Sequence, residues 1–265
     1  MRALVFDSGV GGLSVVAEVR RRLPELALDY AADDAFRPYG EKTQDQLRSR
    51  LPGLVRSLAD MTGADIAVIA CNTASVTALD AIRAESSISV VGVVPAVKPA
   101  ARRTRSGTLG VLGTPATIRQ VYVDELIADF ASDREVQRLG SVALVKMAEA
   151  KLAGQKIDAD VLAREIAPLF TDPDLDTVVL ACTHFPLLRE ELEAASPRPV
   201  TWVDSGEAIA RRVESLIGTP GAVAERPDTA FLVGDRVDPV RARAFADYGF
   251  SRTVALHEGM DQPIE

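Results

Sequence analysis

Short apolar runs alternate with longer amphipathic stretches along almost the whole 265-residue chain. Continuous apolar runs are typical of buried strands in parallel sheets, and amphipathic stretches with a 3.6-residue period are typical of helices packed on such sheets. The apolar runs predict strands at 3–9, 26–34, 65–72, 88–95, 107–113, 176–182, 200–206, 229–235 and 253–259. The amphipathic stretches predict helices at Leu13–Leu23, Gln44–Leu58, Ala74–Ala84, Ile118–Phe130, Ala159–Phe170 and Glu207–Leu216. This alternation predicts βαβ units, and therefore an α/β fold with mainly parallel sheets.

One short pattern occurs twice and contains the only two cysteines of the chain. It reads DIAVIACNT at 65–73 and DTVVLACTH at 176–184, so Cys71 and Cys182 lie 111 residues apart. In each copy a strand-like run leads into Ala-Cys and then into small polar residues. We therefore predict two similar, doubly wound α/β lobes, related by a pseudo-twofold axis, each with one thiol at the end of a strand. Because ligands of open α/β sheets bind at the carboxyl ends of strands, we expect the active site in the cleft between the lobes.

The lobe boundary is predicted near VVPAVKPAARR at 93–103, where two prolines interrupt the pattern. The final third again reads as β-α-β-α-β and is too short for a third domain, so we expect it to rejoin the first lobe. The predicted first lobe is therefore discontinuous and contains residues 1–95 and 205–265. The second lobe contains residues 96–204.

Charge and hydropathy exclude several classes of partner. The net charge is -8 and the basic residues are scattered, so the sequence offers no electrostatic support for binding nucleic acid or an anionic membrane. The N-terminal apolar run ends before Asp7 and is far shorter than a signal-peptide core, and no run in the sequence approaches the roughly 18 apolar residues of a membrane span. We therefore expect a cytoplasmic protein with no membrane partner. In the cytoplasm its two thiols stay reduced, which favours catalysis or passive burial over a disulfide.

Two opposed thiols suit stereochemical inversion at carbon. A cysteine thiol has a reference pKa of about 8.5, and a nearby helix N-terminus or imidazolium favours the thiolate, which can then act as a general base. The thiol on the other side can act as the general acid. His184, two residues after Cys182, is a candidate to assist that thiol, although a lone histidine is also compatible with a purely structural role. The alternative for both cysteines is that they are small buried hydrophobic residues.

Metal and cofactor chemistry is disfavoured. Two cysteines and two histidines spread over the whole chain lack the close paired spacing of zinc sites, so we expect no metal. None of the five lysines lies in an apolar strand-end context, which disfavours pyridoxal phosphate, and we expect no cofactor. A Cys-His hydrolase is a further alternative, but it would leave the Cys71 cluster without a role.

Three further segments are candidate binding elements. Asp7-Ser8-Gly9-Val10-Gly11-Gly12 follows a strand and opens a helix, so its backbone amides are suited to an anion such as a carboxylate. Its spacing and its leading acidic residue do not fit a dinucleotide fingerprint, and the alternative is a helix cap with a tight turn. Tyr39-Gly40 can offer a hydroxyl and an unobstructed amide. Thr114 and Thr117 follow a strand, where helix capping is the alternative to ligand binding.

Taken together, the segments FDSGVGGLSV, PYG, ACNTAS, VVGVVPAVKPA, GTPATI, ACTHFPLL and VDSG, in this order from about residue 3 to 217, form a specific combination. The chain resembles the glutamate racemases of the aspartate/glutamate racemase superfamily. The resemblance implies two α/β lobes and a cofactor-independent interconversion of L- and D-glutamate that supplies D-glutamate for peptidoglycan. Members of the family often pair, so the resemblance also implies a homodimer.

The resemblance also implies roles for individual residues. Cys71 and Cys182 match the two catalytic cysteines, and Asp7 and His184 match the residues thought to assist them. The positions that match substrate-contacting residues are Asp7, Ser8, Tyr39, Gly40, Asn72, Thr73, Thr183 and His184, with Thr114, Thr117 and Glu149 as weaker candidates. By the same resemblance, Cys71 deprotonates D-glutamate and Cys182 deprotonates L-glutamate.

The loop before Tyr39 departs from the family pattern. The usual sequence looks like GDTARVPYG, whereas here it reads ADDAFRPYG, with Asp34 in place of a threonine and Phe36 in place of an arginine. After Ile217 the resemblance thins. Two other functions stay open at this point: a sibling racemase or isomerase acting on aspartate, a hydantoin or maleate, and a non-catalytic α/β ligand-binding protein with inert cysteines.

Overall fold

The computed structural model describes residues 1–218, 226–234 and 236–257. The ends of two predicted strands, at Asp235 and at 258–259, lie outside the described residues. Contacts along the chain define two compact units. Unit 1 is Met1–Val93 with Gly206–Glu265, and unit 2 is Val94–Ser205. The predicted boundaries lie within two residues of these.

Unit 1 contains a six-stranded sheet in which every described pair of neighbouring strands is parallel. Its strands are β1 (Arg2–Asp7), β2 (Ala27–Ala32), β3 (Ile66–Ile69), β4 (Ser89–Gly92), β9 (Thr229–Val233) and β10 (Arg252–Leu256), in the order β10-β9-β2-β1-β3-β4. Its helices are α1 (Leu13–Arg22), α2 (Gln44–Thr62), α3 (Asn72–Glu85), α10 (Gly206–Ile217) and α11 (Pro239–Asp247), with a 3₁₀ turn at Tyr39–Glu41. The chain after α10 thus rejoins the first sheet through β9 and β10.

Unit 2 contains a parallel four-stranded sheet. Its strands are β5 (Thr108–Gly113), β6 (Glu135–Gly140), β7 (Leu175–Ala181) and β8 (Thr201–Val203), in the order β6-β5-β7-β8. Its helices are α4 (Val97–Arg103), α5 (Pro115–Ile118), α6 (Val121–Phe130), α7 (Ala143–Leu152), α8 (Ala159–Ile166) and α9 (Arg189–Ala195), with 3₁₀ turns at Ala167–Thr171 and Phe185–Leu188.

Apolar side chains cover both faces of the unit 2 sheet. Val178 and Leu180 belong to a core cluster with Leu144 and Leu162, whereas the alternate residue Val179 belongs to a separate cluster that includes residues of α4 and α6. Successive residues of a strand point to opposite faces, so each cluster fills one face. The predicted α/β class with parallel sheets is therefore confirmed, and unit 2 is doubly wound.

Local sequence signals fix the ends of α2. The Thr43 side chain accepts a hydrogen bond from the backbone of Gln46, whose side chain accepts one from the backbone of Thr43. This capping box satisfies amides that would otherwise lack partners at the helix start. Gly63 ends the helix in the left-handed conformation, with φ +61°, which a side chain would disfavour.

Several predicted elements were wrong or missed. The predicted helix Ile118–Phe130 is interrupted, since α5 ends at Ile118 and α6 begins at Val121. Strand β6 was not predicted because it is an edge strand whose side chains are exposed or half-buried, so its sequence EVQRLG lacks an apolar run. Helices α4, α7, α9 and α11 were not predicted either, and β8 is shorter than expected.

Among the described residues, no helix is long and apolar enough to cross a membrane.

Asp176, at the start of β7, fastens the turn that leads into β5. The backbone amides of Arg105 and Ser106 donate to its Oδ2 at 2.8 and 2.9 Å. Burial by itself raises the pKa of Asp176, but these hydrogen bonds, with those from Thr104 and Thr177, outweigh it and lower the pKa to about 2. A carboxyl group with a depressed pKa in the folded state stabilises the fold above its unfolded pKa. That stabilisation is lost as the pH falls through the folded pKa.

We therefore expect the stability difference between the wild type and Asp176→Asn to be constant near neutral pH and to shrink between about pH 4 and pH 2. Urea unfolding at pH 7, 4 and 2.5 measures the free energy of unfolding of both proteins. The exposed Asp133, changed to Asn, is the control and should show no such window. A wild type to Asp176→Asn difference that stays constant down to pH 2.5 would contradict this account.

Candidate active site

The Cys71 thiol lies directly after β3, at the N-terminus of α3. Cys71 is the N-cap of α3, and its Sγ accepts a hydrogen bond from the Ala74 amide at 3.5 Å. The residue is buried, with 6% of its surface exposed. A helix N-terminus carries partial positive charge, so this position favours a negatively charged sulfur.

Asp7 and Ser8 lie beside this thiol because β1 and β3 are paired neighbours, with Phe6 opposite Ile69. The Ser8 hydroxyl is 3.7 Å from Cys71 Sγ and 3.5 Å from Asp7 Oδ1. The Asp7 side chain is fully buried, and its Oδ1 also accepts from the Gly9 amide at 2.9 Å. The end of the unit 1 sheet therefore aligns a carboxylate, a hydroxyl and a thiol.

Tyr30, on β2, holds the glycine-rich turn by a hydrogen bond to its backbone. Its hydroxyl donates to the Gly9 carbonyl at 2.8 Å, and its ring packs against Phe245 and Phe250. Burial raises the pKa of Tyr30 well above 10, and the neighbouring Asp7 and Cys71 add to this, so the hydroxyl stays protonated and remains a donor. Sequence analysis missed Tyr30, since a tyrosine inside a buried strand carries no local signal of such a contact.

Gly12 lies where this turn enters α1 and has no room for a side chain. An added Cβ would be 2.7 Å from the Tyr30 hydroxyl, 3.0 Å from Asp7 Cβ and 3.1 Å from Ala70 Cβ. The closeness of Tyr30 and Asp7 means that any relief of the clash displaces the groups beside Cys71.

We expect Gly12→Ala to lower stability by on the order of 1–3 kcal/mol, because an added methyl overpacks a filled core. Turnover should fall as well, since Asp7 and Tyr30 shift. Urea unfolding and steady-state kinetics measure the two effects. Gly53→Ala is the matched control, because an added Cβ on that α2 residue meets nothing within 4 Å, and alanine favours a helix. Equal behaviour of the two variants would contradict the account.

The structure gives the Tyr39 hydroxyl a partner within the protein. Its side chain is buried, and its hydroxyl donates to Asp33 Oδ2 at 2.7 Å, while Arg50 donates two hydrogen bonds to the same carboxylate, each at 2.7 Å. Burial and the Asp33 charge raise the pKa of Tyr39 well above 10. The hydroxyl proton is therefore engaged by Asp33, and contact between this hydroxyl and a ligand stays a prediction. The backbone of Tyr39 and the exposed Gly40 remain candidates for binding.

Asn72 and Thr73 form the first turn of α3 and are both buried. The Asn72 Oδ1 atom has no hydrogen-bond partner among the described residues. A buried acceptor without a partner is costly, which is a reason to expect a donor from a bound molecule. An ammonium group is such a donor.

In unit 2, Cys182 follows β7 and is buried together with Thr183 and His184. His184 Nδ1 lies 3.9 Å from Cys182 Sγ, and His184 Nε2 lies 3.7 Å from Glu149 Oε1 on α7. The imidazole therefore lies between the thiol and the carboxylate, with one ring nitrogen near each. This is the geometry in which an imidazole assists a thiol's proton transfers while a carboxylate orients the ring.

Thr114 and Thr117 lie near Cys182 in the sheet, because β5 pairs with β7 and sets Gly113 opposite Ala181. The Thr114 hydroxyl caps α5 by accepting from the Thr117 amide at 3.2 Å, and the two hydroxyls are 3.0 Å apart. The helix-capping interpretation is thus confirmed. Contact between these threonines and a ligand stays a prediction.

Two other features of the described residues do not contribute to either thiol site. No group of three or more His, Cys, Asp or Glu side chains within the described ranges could hold a metal ion. A cavity of about 540 Å³ in unit 2 is lined by Arg103, Arg105, Asp176 and 199–201. It adjoins the amino ends of β5, β7 and β8, whereas Cys182 follows the carboxyl end of β7.

Each unit therefore presents a buried thiol just beyond an interior strand of a parallel sheet, with its own assisting groups. The class of protein follows from comparison with known families. The sequence model of the Asp/Glu/Hydantoin racemase family matches residues 13–213, and the chain belongs to this family. The resemblance drawn from the motifs is confirmed.

Individual relatives cover most of the chain. The glutamate racemase of Sphingopyxis alaskensis is 47% identical over 251 residues, 93% of this chain and 94% of the relative. That of Vibrio cholerae is 48% identical over 222 residues, 84% and 83% of the two chains. The crystal structure of Escherichia coli glutamate racemase, in complex with L-glutamate and the activator UDP-MurNAc-ala, matches with a TM-score of 0.90 and 41% identity, over 100% of this chain and 99% of that one.

Proposed function

We propose that the chain interconverts L- and D-glutamate by proton transfer at the α-carbon, without a cofactor. The observation that carries the proposal is the duplicated thiol site, in a chain about half identical to proteins named glutamate racemase. A racemase needs one acid/base group for each face of the α-carbon, and each unit has one buried thiol.

The proposed reaction has two proton transfers. One thiolate removes the α-proton and becomes a thiol, and the electron pair of the broken C–H bond remains on the substrate as a carbanion. The other thiol donates its proton to the opposite face and becomes a thiolate. By resemblance to the family, Cys182 deprotonates L-glutamate and Cys71 deprotonates D-glutamate. Each turnover therefore exchanges the protonation states of the two thiols.

In unit 1 we assign the assisting role to Asp7. The Ser8 hydroxyl links its carboxylate to the Cys71 thiol, at 3.5 Å from Asp7 Oδ1 and 3.7 Å from Cys71 Sγ. A buried carboxylate here opposes the build-up of negative charge on the sulfur and so strengthens the thiolate as a base. The amides at the start of α3 have the opposite effect, because they stabilise the anion. Together they keep both protonation states of Cys71 accessible, as alternating acid and base roles require.

In unit 2 the same function falls to His184, with Glu149 behind it. A protonated imidazole stabilises the Cys182 thiolate, and a carboxylate stabilises the protonated imidazole. We assign Glu149 the role of orienting and charging the His184 ring, because its carboxylate lies beside Nε2, on the side of the ring away from Nδ1 and the thiol.

Recognition of glutamate is assigned to polar groups near each sulfur. The unpartnered Asn72 Oδ1 suits the substrate ammonium. The Tyr39–Gly40 backbone, together with the side chains of Ser8, Thr73, Thr183, Thr114 and Thr117, is assigned to the substrate carboxylates. A site that excludes water also strengthens the electrostatic stabilisation of the carbanion, for which no cofactor provides an electron sink.

A substrate panel tests the assignment. Purified protein is given L-glutamate, L-aspartate, a chiral hydantoin or maleate, with no added cofactor or metal, and the circular dichroism of each chiral substrate is followed, with fumarate formation measured for maleate. We expect the L-glutamate signal to decay to zero and the others to change far more slowly. Faster turnover of another substrate would mean that the chain is a sibling racemase or isomerase that acts on that substrate. No turnover of any substrate by folded protein would favour the non-catalytic binding protein.

Three wider properties complete the proposal. We assign the enzyme to the cytoplasm, to the supply of D-glutamate for peptidoglycan, and to a homodimeric state. Growth of a D-glutamate auxotroph on expression of the chain tests the supply role, and failure to grow with active protein present would contradict it. Sedimentation equilibrium tests the dimer, which a single monomeric species at micromolar concentration would contradict.

A further inference from the structure

Arg241 is a buried arginine in the part of the chain beyond the residues that the family model matches. It lies on α11, and 8% of its side chain is exposed. Its guanidinium forms an ion pair with Asp34, and its Nε lies 3.7 Å from Asp238 Oδ2. Arginine is rarely buried unless it is paired, and these contacts pair the guanidinium with two carboxylates.

Asp34 belongs to the loop 33–41, which follows β2 and ends in the 3₁₀ turn that contains Tyr39 and Gly40. Besides Arg241, the Arg37 side chain contacts it, with Nε 2.7 Å from Asp34 Oδ1. The next residue, Ala35, donates its amide to the Val233 carbonyl at the end of β9, at 2.9 Å. The loop is therefore fastened to β9 and α11, both of which come from the C-terminal segment.

The two residues of this loop that depart from the family pattern have different contacts. Threonine at position 34 has no charge to pair with Arg241. Phe36, where an arginine is usual, has the guanidinium of Arg50 4.8 Å and the ammonium of Lys42 4.6 Å from its ring centroid, and it packs edge-on against Tyr39. The loop is thus held by the C-terminal segment at Asp34 and by Lys42, Arg50 and Tyr39 at Phe36.

Arg241 also affects Tyr30, which supports the glycine-rich turn of the unit 1 site. Its positive charge lowers the pKa of Tyr30, against the larger opposing effects of burial, Asp7 and Cys71. Tyr30 holds the Gly9 carbonyl and stands against Gly12. The same buried cation therefore pairs directly with the loop of Tyr39 and Gly40, and its charge also affects Tyr30.

We propose that Arg241 is a positioning residue for substrate binding: through Asp34 it holds loop 33–41 so that the Tyr39–Gly40 backbone meets the substrate. The inference rests on the proposed racemisation of glutamate. Backbone donors on this loop bind the ground state and the transition state alike. Their misplacement raises KM and leaves kcat nearly unchanged. A purely structural ion pair would instead lower stability without changing KM.

The test compares Arg241→Gln, Asp34→Thr and the double variant with the wild type. Arg243→Gln is the matched control, since Arg243 is an exposed arginine on the same helix. We expect KM for both enantiomers to rise about tenfold in each single variant, which corresponds to the loss of one charge-assisted interaction. We expect kcat to stay within about twofold. The double variant should raise KM by less than the two single effects combined, because either single change already removes the contact between Arg241 and Asp34. Arg241→Lys should recover part of the loss.

A second readout does not depend on activity. Trypsin cleaves after Lys42 but not after Arg37, which precedes a proline. Release of the loop should therefore speed cleavage between Lys42 and Thr43 in Arg241→Gln and Asp34→Thr, as followed by mass spectrometry, with Arg243→Gln unchanged. An unchanged KM and unchanged cleavage in both variants would overturn the proposal, as would an equal KM shift in Arg243→Gln. If the wild type does not racemise glutamate, the proposed function fails, while the cleavage rates still decide whether Arg241 holds the loop.

Discussion

Cys71→Ser and Cys182→Ser should each lower kcat/KM for glutamate racemisation by roughly 10²–10⁴-fold, the usual contribution of a positioned acid or base. A serine hydroxyl is far less acidic than a thiol and cannot alternate between the two protonation states near neutral pH. The fold-loss in kcat/KM should be the same from L- and from D-glutamate. Enantiomers have equal free energies, so the equilibrium constant is one, and no variant can change it. Circular dichroism of each enantiomer measures both rates.

The structure also predicts that these variants stay folded. Serine keeps the N-cap that Cys71 provides to α3, and the change removes no large apolar group at Cys182. Thr62→Ser, a buried change of similar size at the end of α2, is the control and should retain activity. Unchanged turnover in both cysteine variants would end the two-thiol account and leave the cysteines as buried hydrophobic residues.

Asp29→Ala should lower the free energy of unfolding by about 3–5 kcal/mol, the cost of breaking a buried ion pair from one side. Asp29 is fully buried on β2, and its carboxylate accepts hydrogen bonds from Arg2 at 3.0 Å and from the Thr229 amide at 3.1 Å, in addition to its contact with Arg226. The Arg2 side chain is only 6% exposed. Removal of the carboxylate leaves that buried cation with the more distant carboxylate of Asp228, at 3.6 Å, and the Arg226 carbonyl, at 2.7 Å.

Urea unfolding of Asp29→Ala measures this cost, and Asp80→Ala, which removes a fully exposed carboxylate, provides the baseline. Because Thr229 begins β9, the variant should also loosen the C-terminal strands, which hydrogen exchange of β9 and β10 would detect. A loss of stability within about 1 kcal/mol of the Asp80→Ala value would show that the network contributes little.

Much of the architecture was predictable because hydrophobic periodicity is a local property. The buried runs that became β1, β3, β5 and β7 have apolar residues at nearly every position, as strands covered on both faces require. Strand β6 escaped prediction because an edge strand needs no such run. The break between α5 and α6 depends on Arg119 and Gln120, which carry no proline or glycine signal.

The site was predictable only in part, because sequence patterns report local features and not contacts between distant residues. The repeated Ala-Cys motif marks Cys71 and Cys182 because the thiol and the strand that carries it are adjacent in sequence. Contacts made across the fold leave no such mark. Tyr39 pairs with Asp33 and Arg50, and Arg241 reaches Asp34 from more than 200 residues away. The departure from the family pattern at Asp34 and Phe36 marks this loop in the sequence but does not indicate its partners.

The central claim is that two separate thiols transfer protons to and from one α-carbon. The most direct measurement is the isotope content at Cα during the first few per cent of conversion of L-glutamate in D2O, by chiral chromatography and mass spectrometry. The account predicts D-glutamate that carries deuterium at Cα from the first turnovers, while the remaining L-glutamate still carries protium. D-glutamate that retains the original proton would mean that a single group returns it, and would contradict the two-thiol mechanism.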